Sequence, residues 1–333
     1  MSSDAAWNDM LDEFRALGGV AENIRLGEGI YGRGLFPIDP AKPVNIQIPE
    51  DLLVSFEHVV IENGVFRVHA DSAVGARGRA FLERYEQDFA WGPGHQDVER
   101  FLEGMSELPE HLRELLIKKF DFARFFDPIT PEAVKKWFFG TRVIRAGGRQ
   151  VVMPIIEMAN HGGTGAYDVK SGVALRGIFD GEVLVRYTTP SDPLDMFLNW
   201  TFPSRESTGF SVEILTTCAG RQVEILRKFH ADSPIPRVPN VRIDGDRIIM
   251  QYLLLGDQQF PRVPKGAFRR AMQQVGLNDV DEVFDFINFA NRQEFLDLLD
   301  ALEGIDLSIV PTLRKLAVNQ LRALSCHFGV RQI

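Results

Sequence analysis

Met153-Pro154-Ile155-Ile156-Glu157-Met158-Ala159-Asn160-His161-Gly162-Gly163 is the stretch on which the fold turns. An apolar run leads into a polar pair and then into glycines, the pattern of a strand (Gln150 to Ile156) running into a tight turn. Asn160 and His161 place several donors and acceptors in a small space, which suits fixing a polar ligand. An Asn-His pair in a loop means little alone, so its weight comes from what flanks it.

Upstream, residues from about Gly75 to Phe139 follow a helical period, with Phe81/Tyr85, Val98/Phe101/Leu102/Met105 and Leu112/Leu115/Leu116/Phe120 on recurring faces. Pro109 and Pro131 suit first-turn positions of two of these helices. Before them the texture is β: short apolar runs at Ile24 to Leu26, Gly34 to Ile38 and Val44 to Ile48. A hairpin is signalled by Asn63-Gly64 between Val59 to Glu62 and Val65 to Val68. Within this part lies Gly29-Ile30-Tyr31-Gly32-Arg33-Gly34-Leu35-Phe36, whose glycines let backbone approach a ligand closely. Trp7, Met10, Leu11, Phe14 and Leu17 give an opening amphipathic helix that Gly18-Gly19 stops.

Downstream, strands are expected at Gly172 to Ile178 and at Glu182 to Tyr187, the latter in Asp180-Gly181-Glu182-Val183-Leu184-Val185-Arg186-Tyr187. A short helix then leads to Asn199-Trp200-Thr201-Phe202. Past Ser204 come further strands, including a second hairpin across Asp244-Gly245. From Lys265 onward the pattern is helical, with apolar stripes at Phe284/Phe286/Ile287, Phe295/Leu296/Leu299/Leu302 and Leu313/Leu316/Leu321/Leu324 expected in the core. The fold class is α+β. Three parts are expected: a helix over 1–19, a β-rich domain over 20–205 with a helical insert at about 75–140, and a largely helical domain over 206–333.

Taken in order, the glycine turn, the helical insert, the Asn-His stretch and the Gly-Glu…Tyr stretch resemble the SET-domain methyltransferases. The resemblance is to the branch of the Rubisco large-subunit lysine methyltransferase and the actin histidine methyltransferase. That branch carries G-x-G-L, a helical insert, P-x-x-D-x-x-N-H, G-E-x-x-x-x-Y and then Y-G-F. Trp137 with Thr141-Arg142 sits where the branch has an aromatic residue and a Ser-Arg pair. The likeness covers about residues 20 to 205, and the colinearity of the motifs carries it.

The resemblance implies a SET-type fold and S-adenosyl-L-methionine as cofactor. It implies that Tyr31, Gly32, Arg33 and Gly34 wrap the cofactor by main chain, that Asn160 and His161 contact its amino-acid and adenine ends, and that Arg142 borders the same pocket. Tyr187 is implied as the hydroxyl beside the transferring methyl, a positioning and polarising contact and not a base. Thr141, Glu157, Trp200 and Phe202 are implied on the acceptor side, with Glu157 in place of the family's Asp near the channel mouth. Trp200 is the main departure: Trp200-Thr201-Phe202 stands where the family has Y-G-F, so a channel hydroxyl gives way to an indole that donates but cannot accept. The implied activity is methyl transfer to a protein nitrogen, lysine first and histidine second. A small-molecule or peptide acceptor, and a cofactor-binding interaction module that has lost turnover, stand as alternatives.

Bulk composition narrows the partners. Apolar residues at 45% and charged residues at 25% are ordinary for a globular chain. A net charge of -9 with no basic cluster argues against a nucleic-acid partner and suits a protein or small amine acceptor. Cys218 and Cys326 are the only two cysteines, without metal-ligand spacing, so neither a zinc site nor a disulfide framework is expected and a reducing compartment is. No stretch approaches the ~20 apolar residues of a membrane span, and the acidic start, with Asp4, Asp9, Asp12 and Glu13, is unlike a signal peptide. The expected location is cytoplasmic. The acidic stretch from Asp279 to Leu307 is either a solvated helix face or a dock for a basic partner.

Overall fold

Helices and short sheets are interspersed along the chain in an α+β arrangement, as the sequence texture predicts. The structure, a computed structural model, describes residues 3–29, 32–187, 191–227 and 239–325. In chain order the elements begin with α1 (Ser3–Ala16), β1 (Val20–Glu22), β2 (Ile24–Gly29), β3 (Gly32–Pro37), β4 (Val44–Ile48), β5 (Val54–Ser55), β6 (Val59–Glu62) and β7 (Val65–Val68). Next come α2 (Ala76–Phe89), α3 (Trp91–Ser106), α4 (Glu110–Phe120), α5 (Pro131–Gly140), β8 (Val143–Ala146), β9 (Arg149–Val152), β10 (Asn160–Gly165), β11 (Tyr167–Asp168), β12 (Val173–Gly177) and β13 (Leu184–Val185). After them are α6 (Pro193–Trp200), β14 (Thr208–Phe210), β15 (Ile214–Cys218), β16 (Arg221–Leu226), β17 (Asn240–Asp244), β18 (Arg247–Gln251), β19 (Leu254–Asp257), α7 (Val263–Gln274), α8 (Asp281–Ala301) and α9 (Val310–Leu324).

Contacts divide the chain into two units, one made of Met1–Arg100 with Pro128–Thr188 and one of Phe101–Asp127 with Thr189–Ile333. This differs from the division drawn from the sequence in three respects. The opening helix joins the first unit, because Phe14 stacks on Phe81 at 5.8 Å and Trp7 meets Phe89 edge-on at 5.3 Å. The middle of the helical insert joins the second, because Phe120 packs on Phe295 at 4.8 Å and Phe122 stacks on Phe197 at 5.4 Å. Residues 189–205 also join the second unit.

In the first unit, β1-β4-β12-β11 form an antiparallel sheet, β5-β9-β8 a second, and the β2-β3 and β6-β7 hairpins stand as pairs. The β6-β7 turn takes positive φ at both Asn63 (51°) and Gly64 (78°), the backbone that a type I′ turn needs. Trp91 anchors the interior. Its ring stacks on Phe139 at 5.7 Å and meets Phe138 edge-on at 5.2 Å, while its indole N–H donates to the Gly64 carbonyl at 2.8 Å. Each such buried aromatic pair adds about 0.5–1.5 kcal/mol beyond the area it buries. Thr130 caps α5 by accepting from the Ala133 N–H at 3.1 Å, and Pro131 opens the helix as expected. Pro109 instead occupies the position just before α4, with an extended ψ of 146°.

The second unit holds the four-stranded sheet β15-β16-β18-β17, in which β16 and β18 run parallel, and the β14-β19 pair. The β17-β18 hairpin turns through Gly245 at φ 63°. A buried polar hub fixes α6: Asp192 accepts from the Asp195 and Phe210 N–H groups and from Gln320, and Arg227 bonds both Asp192 and Asp195. Burial raises the Asp192 carboxyl to about 6, with Arg227 acting against the rise. Of the expected core stripes, Phe284, Ile287 and Phe295 are buried, whereas Phe286 and Leu296 are exposed. Part of the acidic stretch is neutralised within this unit, Asp285 by Lys265 at 2.9 Å and Asp281 by Arg269.

Candidate functional site

The β2-β3 hairpin pairs Gly29 with Gly32 and Gly27 with Gly34. Gly34 is a close-approach glycine: a Cβ there would stand 2.4 Å from Glu182 Oε1 and 2.7 Å from Asn160 Nδ2. Among the described residues, and its chain neighbours apart, no atom lies within 4 Å of where a Cβ of Gly32 (φ 87°) would stand. Tyr31, implied with these residues, lies outside the described residues.

The strand expected over 150–156 stops at Val152, and the reason is local. Pro154 carries no N–H, and the Ile156 N–H folds back to the Pro154 carbonyl at 2.8 Å, with Ile155 at φ 69°, ψ −57°. This is a γ-turn of the rarer, strained hand, unusual for a β-branched residue. Ile155 is wholly buried, so packing holds the strain in place. A single 3-10 turn, Ile156–Met158, then delivers Asn160 and His161 at the head of β10.

β10 runs parallel to β13, pairing Asn160 with Leu184 and His161 with Val185. The expected strand Glu182 to Tyr187 is thereby reduced to two residues, its ends held by cross-links to other segments. Asn160 Nδ2 donates to Glu182 Oε1 at 2.5 Å and to the Arg33 carbonyl at 3.3 Å. The Val183 N–H donates to the Leu35 carbonyl at 2.8 Å. Three segments remote in sequence therefore meet: the glycine hairpin, the Asn-His pair and the Gly-Glu…Tyr stretch.

Tyr187 completes the meeting point. Its hydroxyl donates to the Ala159 carbonyl at 2.9 Å, its N–H donates to His161 Nδ1 at 3.2 Å, and its ring stands edge-on to the His161 ring at 5.1 Å. An acceptor at Nδ1 puts the imidazole proton on Nε2. Enclosure pushes the phenol up to about 12, so Tyr187 stays protonated at neutral pH.

Arg142 lies two residues past the end of α5. Its guanidinium lies over the Phe138 ring at 3.9 Å, donates to the Phe138 carbonyl at 3.2 Å and to Thr141 Oγ1 at 3.0 Å, and reaches Glu157 with Nε 3.9 Å from Oε2. Thr141 in turn donates to the Phe138 carbonyl at 2.9 Å. Glu157, implied near the channel mouth, has a side chain 0% exposed that faces Arg142 and Tyr85. Burial raises it to about 7, with Arg142 opposing.

Sequence reading missed the groups behind Glu157. Tyr85 and Glu86 are both 0% exposed on α2, the Tyr85 hydroxyl beside Glu157 and the Glu86 carboxylate accepting from the Trp91 N–H at 3.3 Å. Burial first, and Glu157 second, hold the Glu86 carboxyl well above the usual range. A signal was present: Glu86 lies on the face of α2 between buried Leu82 and Phe89, a charged residue in an apolar stripe. Glu182 was quoted in its motif without a role, yet it braces Asn160.

Trp200 is the last residue of α6, followed by Thr201 in the left-handed region (φ 63°), and Phe202 comes next; both aromatics are half-buried and belong to the second unit. Among the described residues no group of three or more His, Cys, Asp or Glu is placed to hold a metal ion, and no helix is long and apolar enough to cross a membrane. A hollow of about 300 Å³ elsewhere in the first unit, lined by Glu50, Leu53, Arg149 and Val151 among others, shares no residue with this site.

No protein-family model matches the chain. Solved structures similar to it include the SET domain of LSMT bound to lysine and AdoHcy, at 12% identity and TM-score 0.42, covering 98% of this chain and 90% of that one. The same domain bound to MeLysine and AdoHcy overlaps at 14% identity and TM-score 0.45, covering 96% and 89%. Rubisco LSMT bound to AdoMet overlaps at 12% identity and TM-score 0.40, again covering 96% and 89%. These are loose overlaps. Over 111 residues the chain is 30% identical to an uncharacterized protein of Aquifex aeolicus (strain VF5), the match covering 33% of this chain and 88% of that protein. The chain belongs to the same family as that Aquifex aeolicus protein.

Proposed function

We propose that the first unit is a SET-type domain that binds S-adenosylmethionine and that the chain is a methyltransferase acting on nitrogen, with a protein lysine as the leading acceptor and histidine as the second. One observation carries the reading: Gly34, Asn160 and Glu182 meet by close approach and a hydrogen bond, and Tyr187, from the same stretch as Glu182, bonds the Ala159 carbonyl and His161 on either side of Asn160. Convergence of the motifs is what a shared ligand site requires and what unrelated turns would not produce.

The residues fit the group. The backbone at Gly32 suits close approach by a ligand, Arg33, Asn160 and Arg142 offer polar contacts, and His161 lies against Tyr187. Bound there, S-adenosylmethionine would supply an electrophilic methyl group on a positively charged sulfur. The Tyr187 hydroxyl and the Ala159 carbonyl set two oxygens side by side, a pairing that favours such a methyl through weak C–H···O contacts. With its phenol protonated, Tyr187 orients and does not take a proton. The attacking nitrogen must arrive neutral, and an apolar surround lowers an amine's pKa toward that form. Thr141, Trp200 and Phe202 are assigned to the acceptor side.

The half-buried indole of Trp200 favours a second reading, in which the acceptor is a small molecule or peptide, or the chain holds cofactor without turnover. Calorimetry with S-adenosylmethionine, followed by transfer of radiolabelled methyl into a lysate of the source cell, separates these. Absence of cofactor binding removes every version of the proposal. Binding without label transfer leaves the interaction module.

A further inference from the structure

The Tyr85-Glu86-Glu157 cluster is not needed for the chemistry above, yet it encloses a phenol and two carboxyl groups with no exposed surface. Enclosing such groups is costly unless each finds a partner. Glu157 directly follows the strained Pro154-Ile155-Ile156 turn and stands three residues before Asn160. Among the described residues its ion-pair partner is Arg142, a third exposed, against the carboxyl's 0%. Arg142 also lies on Phe138 and bonds Thr141, so its guanidinium links the buried acids to the residues assigned to the cofactor and acceptor.

Resting on the functional reading above, we infer that Glu157 is a positioning residue that acts through Arg142, with Glu86 a second buried acid behind it. Among the described residues, the charged or titratable groups that act on the pair come from several elements. From α2 come Tyr85 and Glu86; from the α5 end, Arg142; from β3, Arg33; from β11, Tyr167; and from beyond β13, Tyr187. Two carboxyls in one dry enclosure cannot both ionise readily, so the pair gives up its protons in two coupled steps. With Glu157 ionised, the carboxylate holds Arg142 and the Asn160-His161 segment is braced. With Glu157 protonated, Arg142 loses its counter-charge.

The test follows the Arg142 Nε–H resonance and S-adenosylmethionine affinity from pH 5.5 to 9 in the wild type, Glu157→Gln and Glu86→Gln, with Arg142→Lys assigning the signal. In the wild type the resonance should move through one transition near neutrality, and affinity should weaken about fivefold from high to low pH. Glu157→Gln should flatten both and hold the weaker affinity throughout. Glu86→Gln should keep the transition, since its amide mimics the protonated partner. A resonance that does not move in the wild type overturns the inference, as does one that moves while affinity stays level. A wild type that binds no S-adenosylmethionine at any pH removes the functional reading. The Arg142 resonance then still decides whether Glu157 controls that side chain, and the wild-type measurement needs no variant to fold.

Discussion

Tyr187 gives its hydroxyl proton to the carbonyl of Ala159, 2.9 Å away and one residue before the Asn160-His161 pair. The bond fixes which way the phenol oxygen faces, and it ties the end of one motif to the start of another across 28 residues.

Removing that hydroxyl tests the assignment. Tyr187→Phe keeps the ring that stands against His161 but leaves the Ala159 carbonyl without its donor. S-adenosylmethionine affinity should change by no more than about threefold, because the lost contact acts on the reacting methyl and not on the bound ligand as a whole. Methyl transfer should fall by about 10²–10³, the usual loss on deleting one aligned polar contact at a reacting group. Equal turnover in variant and parent would falsify the role.

Gly34→Ala probes the hairpin's close approach. The new methyl would meet Glu182 Oε1 and Asn160 Nδ2, both at the ends of side chains that can swing away. The fold should lose only about 1–3 kcal/mol, while the Asn160-Glu182 bond breaks and S-adenosylmethionine affinity drops about tenfold. Adding Glu182→Asp withdraws the crowding oxygen by one methylene and should restore part of the affinity. If the double variant binds no better than Gly34→Ala, the crowding account is wrong. Calorimetry and thermal unfolding provide both readings.

How much of this was legible depended on whether the signal was local. Asn63-Gly64 announces its hairpin because both residues readily take positive φ, and Gly245 does the same at the β17-β18 turn. Pro131 announces the start of α5 because its ring fixes φ and its missing N–H is not needed there. The γ-turn at Ile155 could not be read: a β-branched residue is the last expected at φ 69°, and complete burial holds it there. The affiliation of 101–127 was equally hidden, since it is decided by Phe120 meeting Phe295, 175 positions away. At the site, the motifs were visible as letters in order. Glu86 was signalled as a charged residue in the apolar stripe of α2, whereas the enclosure of Glu157 has no local signal.

Stability should fall as pH rises through neutrality, against the usual behaviour of paired carboxylates. The Glu157 carboxyl moves from an ordinary 4.5 to about 7 on folding, so between those values the folded chain keeps a proton that the unfolded chain has released. Stability from this group is complete below about 4.5 and is lost as pH climbs through 7. Asp192, raised to about 6, adds a loss of the same sign in the second unit. Thermal unfolding of wild type and Glu157→Gln should coincide near pH 5 and separate above it, with the variant unfolding on the order of 5 °C higher at pH 8. Parallel curves would show that Glu157 ionises at its ordinary value.

Trp200 carries the last prediction. It ends α6, whose start is pinned by Asp192 and whose body is held by Arg227 on Asp195, so the indole projects from a fixed helix and not from a loop. Because the ring is half-buried, Trp200→Tyr should shift stability by no more than about 1 kcal/mol. Under the methyltransferase reading, the smaller ring widens the acceptor channel and returns a hydroxyl able to accept as well as donate. Mass spectrometry of the natural acceptor should therefore show more highly methylated product from the variant than from the parent. Identical products formed at identical rates would remove Trp200 from the acceptor site and leave its place in α6 as packing alone.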